Sequence, residues 1–363
     1  MAEVTQQQIE TRLKDYIDPY LETDLVSTKS VRNIMVEGDQ VVIDVVLGFP
    51  AAGYQDQLAA KLKEMVESVE GVSKARVNVN VAIQAHAVQK GVKTISGIKN
   101  IIAIASGKGG VGKSTTATNL ALALSAEGAK VGVLDADIYG PSQPRMLGIH
   151  GKPESKDGQT LEPMVSYHIQ TMSIGFLVDE ETPMIWRGPM VTQALQQLLN
   201  DTNWNDLDYL VIDLPPGTGD IQLTLAQQVP VSGALIVTTP QDIALLDARK
   251  GLKMFEKVEV PVLGIVENMS IHICSNCGHE EHIFGEGGGQ RMAEQYDVNF
   301  LGALPLDIKI REEVDSGRPS VVAEPDGRIA QIYREIARRT AAKLSLQSKN
   351  YAAKFPQIVI QNN

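Results

Sequence analysis

A chain of 363 residues is too long for one small core, and its length points to two or three domains. Its composition, 43% hydrophobic and 21% charged, is that of an ordinary globular protein. A formal net charge of −11 without a basic run makes the chain a poor candidate for sequence-independent DNA binding, and two cysteines exclude a disulfide framework and fit a reducing compartment.

In chain order, the polar N-terminus MAEVTQQQIETRLKDYIDPY lacks a signal-peptide core, and its acidic residues argue against a transit peptide. No stretch nears the roughly 18 apolar residues of a membrane span. The expected location is cytoplasmic, with neither nucleic acid nor membrane as partner. Ile9, Leu13 and Ile17 predict a helix over Thr5–Ile17. A Val/Ile-rich strand follows at Gln40–Leu47, then a helix at Tyr54–Ser68 and an alternating strand at Lys74–Ile83. Residues 1–85 thus read as a small α+β domain. The polar stretch that follows lacks periodicity, which places a linker at 86–99.

From Asn100 the rhythm becomes strand–helix–strand. Apolar strands are predicted at Ile101–Ser106, Lys130–Asp135, Leu207–Asp213, Ala234–Thr239 and Pro261–Glu267, with a shorter one at Asn299–Ala303. Near-continuous apolar strands between amphipathic helices imply an α/β domain over 100–346, its mostly parallel sheet covered by helices on both faces. Residues 347–363 remain as a tail.

Gly107-Lys-Gly-Gly-Val-Gly-Lys-Ser114 satisfies G-x-x-x-x-G-K-[ST] in full, after an apolar strand and at the start of a predicted helix, Lys113–Ala126. Glycines let backbone N–H groups turn inward around phosphate oxygens, and the helix N-terminus adds its positive dipole end. Lys113 would reach the β- and γ-phosphates and Ser114 would ligate Mg²⁺. Tyr209-Leu-Val-Ile-Asp213 is an apolar strand ending in a carboxylate, a Walker B pattern in which Asp213 binds Mg²⁺ through its water shell. Asp135 and Asp137 end another predicted strand, where carboxylates face the ligand crevice. Asn268 follows a third.

Cys274-Ser-Asn-Cys277 lies among His272, His279 and His282. Both sulfurs of a C-x-x-C can reach one metal. Three readings stand: a structural zinc completed by two histidines, a redox dithiol, or half of an iron–sulfur site whose four thiolates come from two chains.

Lys108, directly after the first glycine, resembles the signature lysine of the deviant Walker A ATPases, the MinD/ParA superfamily. That resemblance implies a homodimer with two ATP at its interface, Lys108 reaching the partner's phosphates. It also implies a catalytic group of Lys108, Lys113 and Asp137, with Asp137 orienting the attacking water and Asp135 supporting the metal region. Leu-Pro-Pro-Gly-Thr-Gly-Asp220 resembles switch II, where the Gly217 N–H senses the γ-phosphate. The nucleotide-binding set is Gly107, Lys108, Gly109, Gly110, Val111, Gly112, Lys113, Ser114 and Thr115, joined by Asp135, Asp213, Gly217 and Asn268.

Together with Met184–Met190 (MIWRGPM), Thr239–Asp242 (TPQD) and the C-x-x-C, these motifs resemble the Mrp/ApbC family of iron–sulfur carrier ATPases over about residues 95–345. The resemblance implies ATP and Mg²⁺ as cofactors and a [4Fe–4S] cluster bridged by Cys274 and Cys277 of two chains. It also implies transfer to apo iron–sulfur client proteins, with scaffold proteins as further partners. Residues 1–85 resemble a domain shared with iron–sulfur assembly factors and read as an interaction module; there a cysteine often precedes a Pro-Ala turn, whereas here Phe49 precedes Pro50. The alternative is a MinD/ParA-like positioning switch with a structural zinc. The tail, with Pro356 and little charge, makes a poor membrane helix for such a role.

Overall fold

The computed structural model of the chain describes residues 4–89, 91–178, 188–274 and 276–347. Of the segments singled out above, residues 1–3, 90, 184–187, 275 and 348–363 lie outside them.

The first helix, Gln6–Lys14, starts at a capping box in which Thr5 and Gln8 satisfy each other's backbone N–H groups. It stops one turn short of the predicted end. The Asp18 carboxylate takes the N–H groups of Tyr20 and Leu21, and Ile17 is left 59% exposed in the loop. Three strands follow: β1 (Val31–Glu37), β2 (Gln40–Leu47) and β3 (Lys74–Val81). β1 was not expected; it pairs antiparallel with β2 through a tight turn, while β3 returns parallel to β2 after the helix Gln55–Glu67. Ile43, Val45 and Leu47 point into the core beneath that helix.

Two residues of the predicted linker bond to the larger region. His86 is buried and its backbone N–H donates to Asn100 Oδ1 at 3.1 Å, while Gln89 Nε2 donates to the Ala226 carbonyl at 2.6 Å.

The larger sheet contains β4 (Ile98–Ala105), β5 (Val131–Asp135), β6 (Met164–Ser166), β7 (Ile169–Ser173), β8 (Leu207–Asp213), β9 (Gly233–Thr238), β10 (Val262–Glu267) and β13 (Phe300–Ala303). A separate two-stranded hairpin, β11 (His272–Ile273) and β12 (Glu280–Glu281), lies between β10 and β13 in the chain. The sheet order is β13-β10-β9-β4-β8-β5-β7-β6, parallel throughout except for the β6–β7 hairpin. That hairpin was not expected either. Its turn, Tyr167–His168, has two positive φ angles (50° and 63°) without glycine or asparagine, so the usual turn signature is missing.

β5, β8 and β9 are buried along their whole length, which explains their unbroken apolar sequences. The helix Lys113–Ala126 packs against the C-terminal helix Arg328–Ser345, and Gly128 (φ +97°) ends it by donating to the Ser125 carbonyl at 2.9 Å.

The N-terminal domain joins the larger one through a buried charge cluster. The Glu127 carboxylate, with no exposed side-chain surface, accepts from Arg334 Nε at 2.6 Å, Arg338 Nη2 at 2.8 Å and the Gly53 N–H at 2.9 Å. Arg338 also donates to the Tyr20 hydroxyl at 2.6 Å. A Cβ on Gly53 would lie 2.5 Å from the Arg334 guanidinium, so a larger residue there would displace the cluster's side chains. Burial opposes the charge on Glu127, yet Arg338, the Gly53 N–H and Arg334 hold its carboxyl below the ordinary value.

Glu127→Gln leaves two guanidiniums short of their anion and is expected to cost about 3–5 kcal/mol in urea unfolding. A folded-state pKa below the unfolded one adds stability above the unfolded value and loses it as pH falls through the folded value. The wild type should therefore lose stability below about pH 4.5 more steeply than the Gln variant. A loss under about 1 kcal/mol would show that apolar packing alone seats the domain.

Candidate functional site: a phosphate loop and a nearby cysteine pair

β4 is the central strand at which chain order reverses: β8 and β5 lie to one side, β9 and β10 to the other. The crevice beyond the carboxyl end of such a strand is where α/β sheets bind ligands. The loop Gly107–Gly112 occupies that position and opens the helix at Lys113.

Two glycines in it are sterically required. A Cβ on Gly107 would lie 2.2 Å from the backbone of Asp247, in the helix Asp242–Lys257 packed behind the loop. Gly112 has φ +83°, and a Cβ there would lie 2.1 Å from Asn268 Nδ2. Gly109 and Gly110 are exposed, Val111 is buried, and Lys108 is half-buried with its carbonyl accepting from the Ser106 hydroxyl at 2.9 Å. Thr115 lies in the first turn of the helix beside Ser114, and its carbonyl accepts from Asn119 Nδ2 at 3.1 Å.

Lys113 is buried, an unusual state for an ammonium without partners. Its Nζ pairs with Asp213 Oδ1, lies 3.7 Å from Asp137 Oδ2, and reaches the Ser114 hydroxyl at 3.3 Å. β5 and β8 run in register, so Asp135 sits beside Asp213. Both are fully buried. Burial first, and the Asp213 charge second, push the Asp135 carboxyl up to about 7. Its oxygens accept the N–H groups of Ser142 (2.9 Å) and Gln143 (3.0 Å) and the Ser173 hydroxyl (3.1 Å), so it organises the loop after β5. Burial likewise raises the Asp137 carboxyl, and Lys113 opposes the shift.

Gly217 (φ +101°) donates its N–H to the Ser106 carbonyl at 3.0 Å, holding the loop after β8 against the start of the phosphate loop. Asn268 lies on the other side. Its Nδ2 donates to the Val111 carbonyl at 2.9 Å and its Oδ1 accepts the Met269 N–H at 2.9 Å. The structure therefore brings together Lys113, Ser114, Asp135, Asp137 and Asp213, with Gly217 and Asn268 bracing the loop from two sides. One further residue belongs to this group and was not singled out: Gln143 touches both Asp213 and the Ser114 carbonyl. Nothing in the spacing marks Gln143; only the fold of the loop after β5 delivers it. The Ser114 hydroxyl and Asp213 carboxylate are hard oxygen donors beside a phosphate cradle, a set that suits Mg²⁺.

The cysteine pair sits at the tip of β11–β12. Cys274 is half-buried and Cys277 exposed. The turn is closed by the Cys274 N–H on the His279 carbonyl (2.9 Å) and the Gly278 N–H on the Cys274 carbonyl (2.8 Å). Backbone N–H groups of Asn276 and Cys277 lower the Cys274 thiol. His272 and His282 each place Nδ1 on a backbone carbonyl, of Leu306 (3.1 Å) and Ser270 (2.9 Å). Among the described residues no three His, Cys, Asp or Glu side chains are grouped to hold a metal ion. Nor is any described helix long and apolar enough to cross a membrane.

The family described as NUBPL iron-transfer P-loop NTPase matches residues 97–341, and the family described as iron–sulfur cluster assembly protein matches residues 6–79. An "Iron-sulfur cluster carrier protein" of Salmonella typhimurium is 52% identical over 338 residues, covering 93% of this chain and 92% of its own. The mouse "Iron-sulfur cluster transfer protein NUBPL" is 51% identical over 69% of this chain and 80% of its own. Among solved structures, a nucleotide-binding protein of Archaeoglobus fulgidus in complex with ADP is 39% identical, with a TM-score of 0.56 over 64% of this chain and 91% of that one. MinD of Pyrococcus horikoshii with Mg-ADP is 25% identical, with a TM-score of 0.50 over 66% of this chain and 94% of that one. The chain belongs to the NUBPL iron-transfer P-loop NTPase family, the ParA-type NTPases that carry iron–sulfur clusters.

Proposed function

We propose that the protein hydrolyses ATP as a homodimer and carries a [4Fe–4S] cluster bridged between two copies of Cys274 and Cys277, which it passes to apo-proteins. One observation carries this reading: a chain with two cysteines presents both at the accessible tip of one hairpin. A Cys₄ cluster needs four thiolates, so a second copy must supply the other pair. A zinc site within one chain would need further ligands grouped around the same tip.

At the nucleotide site Lys113 exchanges its carboxylate partners for the β- and γ-phosphates, and the loop amides surround the remaining charge. Ser114 and Asp213 would hold Mg²⁺, which neutralises phosphate charge when bound. Asp137 orients the attacking water, Asp135 holds the loop that carries it, and Gly217 reports the γ-phosphate. Lys108 reaches the partner's nucleotide. Asn268 keeps one N–H on Val111 and one lone pair on Met269, and its second N–H and second lone pair suit the edge of adenine. The same residue lies six positions before Cys274, so a movement of the phosphate loop has a short covalent route to the cluster hairpin. The N-terminal domain serves as the client-facing module.

Anaerobic reconstitution with iron and sulfide should give brown protein holding about four irons per dimer, and a Cys274→Ala, Cys277→Ala variant should stay colourless. A colourless wild type with tightly bound zinc would overturn the carrier mechanism. For hydrolysis, Lys113→Ala should lower turnover on the order of 10²–10³-fold, as loss of one transition-state donor does. Lys108→Ala should lose hydrolysis while still binding ADP. Wild-type turnover by Lys108→Ala would contradict the cross-dimer role.

A further inference from the structure

Gln143 is fully buried in a short helix, Gln143–Met146, at the end of the loop that begins with Asp135. Its amide can be oriented in one way only. Nε2 meets two groups that cannot donate, Asp213 Oδ2 at 3.0 Å and the Ser114 carbonyl at 3.2 Å, while Oε1 receives the Thr118 hydroxyl at 2.7 Å. Its backbone N–H is held by Asp135. One side chain thus connects the carboxyl end of β8, the first turn of the phosphate-loop helix and the loop after β5.

Asp213 has two oxygens with different partners. Oδ1 faces Lys113, and Oδ2 faces Gln143. When Lys113 turns to phosphate it leaves Oδ1, whereas nothing about nucleotide binding displaces the amide from Oδ2. A donor to a carboxylate fixes both its rotamer and its charge, and residues that orient metal-region ligands are worth about 10–100-fold in metal affinity.

We propose that Gln143 is a positioning residue for Asp213, holding the carboxylate in the orientation that receives the Mg²⁺ water shell when Lys113 turns to the phosphates. This rests on the ATPase reading above. Gln143 touches neither nucleotide nor metal; it acts through Asp213, and Thr118 seats it.

The test uses the full-length protein and a fluorescent ADP analogue, titrated with and without Mg²⁺, beside thermal melting. In the wild type Mg²⁺ should tighten ADP. Gln143→Leu should lose about tenfold of that gain while keeping its Mg²⁺-free affinity. Thr118→Val, which unseats the amide without touching Asp213, should lose part of it and carries the test alone if the Leu variant does not fold. An unchanged Mg²⁺-dependent gain in both variants overturns the proposal. So does an equal loss with and without Mg²⁺, which marks Gln143 as merely structural. A wild type whose ADP affinity ignores Mg²⁺ would instead sink the ATPase reading, and this inference with it.

Discussion

The buried ion pair between Lys113 and Asp213 is the contact on which the nucleotide site depends. An ammonium taken out of water is costly unless anions meet it, and here one carboxylate is in direct contact and a second lies 3.7 Å away. The pair links the loop after β4 to the carboxyl end of β8. Burial first, and then the charge of Asp213 beside it on the neighbouring strand, drive the Asp135 carboxyl toward its neutral form. Three parallel strands therefore converge on one small charged volume. Phosphate is the ligand such a volume suits, because it can take over the lysine while the loop amides take the rest of its charge.

The helix Lys113–Ala126 carries that site at one end and the domain junction at the other. Glu127 follows its last residue and binds two arginines from the C-terminal helix together with the backbone of the N-terminal domain. The N-terminal region is thus fastened to the far end of the phosphate-loop helix. Phe49 adds to this arrangement. It stands where related domains often carry a cysteine, and here it is fully buried beside the Tyr20 ring, with centroids 6.1 Å apart. The position serves packing in this chain, which leaves Cys274 and Cys277 as its thiols.

The hairpin that carries those thiols grows directly out of the nucleotide site. Glu267 ends β10, Asn268 touches the phosphate loop, and β11 begins at His272. Cys277 is exposed and Cys274 half-buried there, and both stay within one short segment of the residue that contacts Val111.

Much of this was legible in the residues. The glycine–lysine loop, the apolar strands with their terminal carboxylates and the C-x-x-C each carry a local chemical signature, because phosphate, metal and sheet burial demand particular residue types at fixed spacing. The β2 strand and the Lys113–Ala126 helix fall at the bounds their patterns predict. Other features have no local signature. β1 and the β6–β7 hairpin depend on a partner strand and on a turn without glycine, and the 86–99 stretch docks through His86 and Gln89 onto surfaces far along the chain. Gln143 reaches Asp213 across 70 positions, and Glu127 meets arginines more than 200 positions away. Sequence alone determined the P-loop motif and the apolar strands around it, since these are written in short contiguous patterns. Only the tertiary structure decided which buried charges answer one another, because those pairings join residues that share no local pattern.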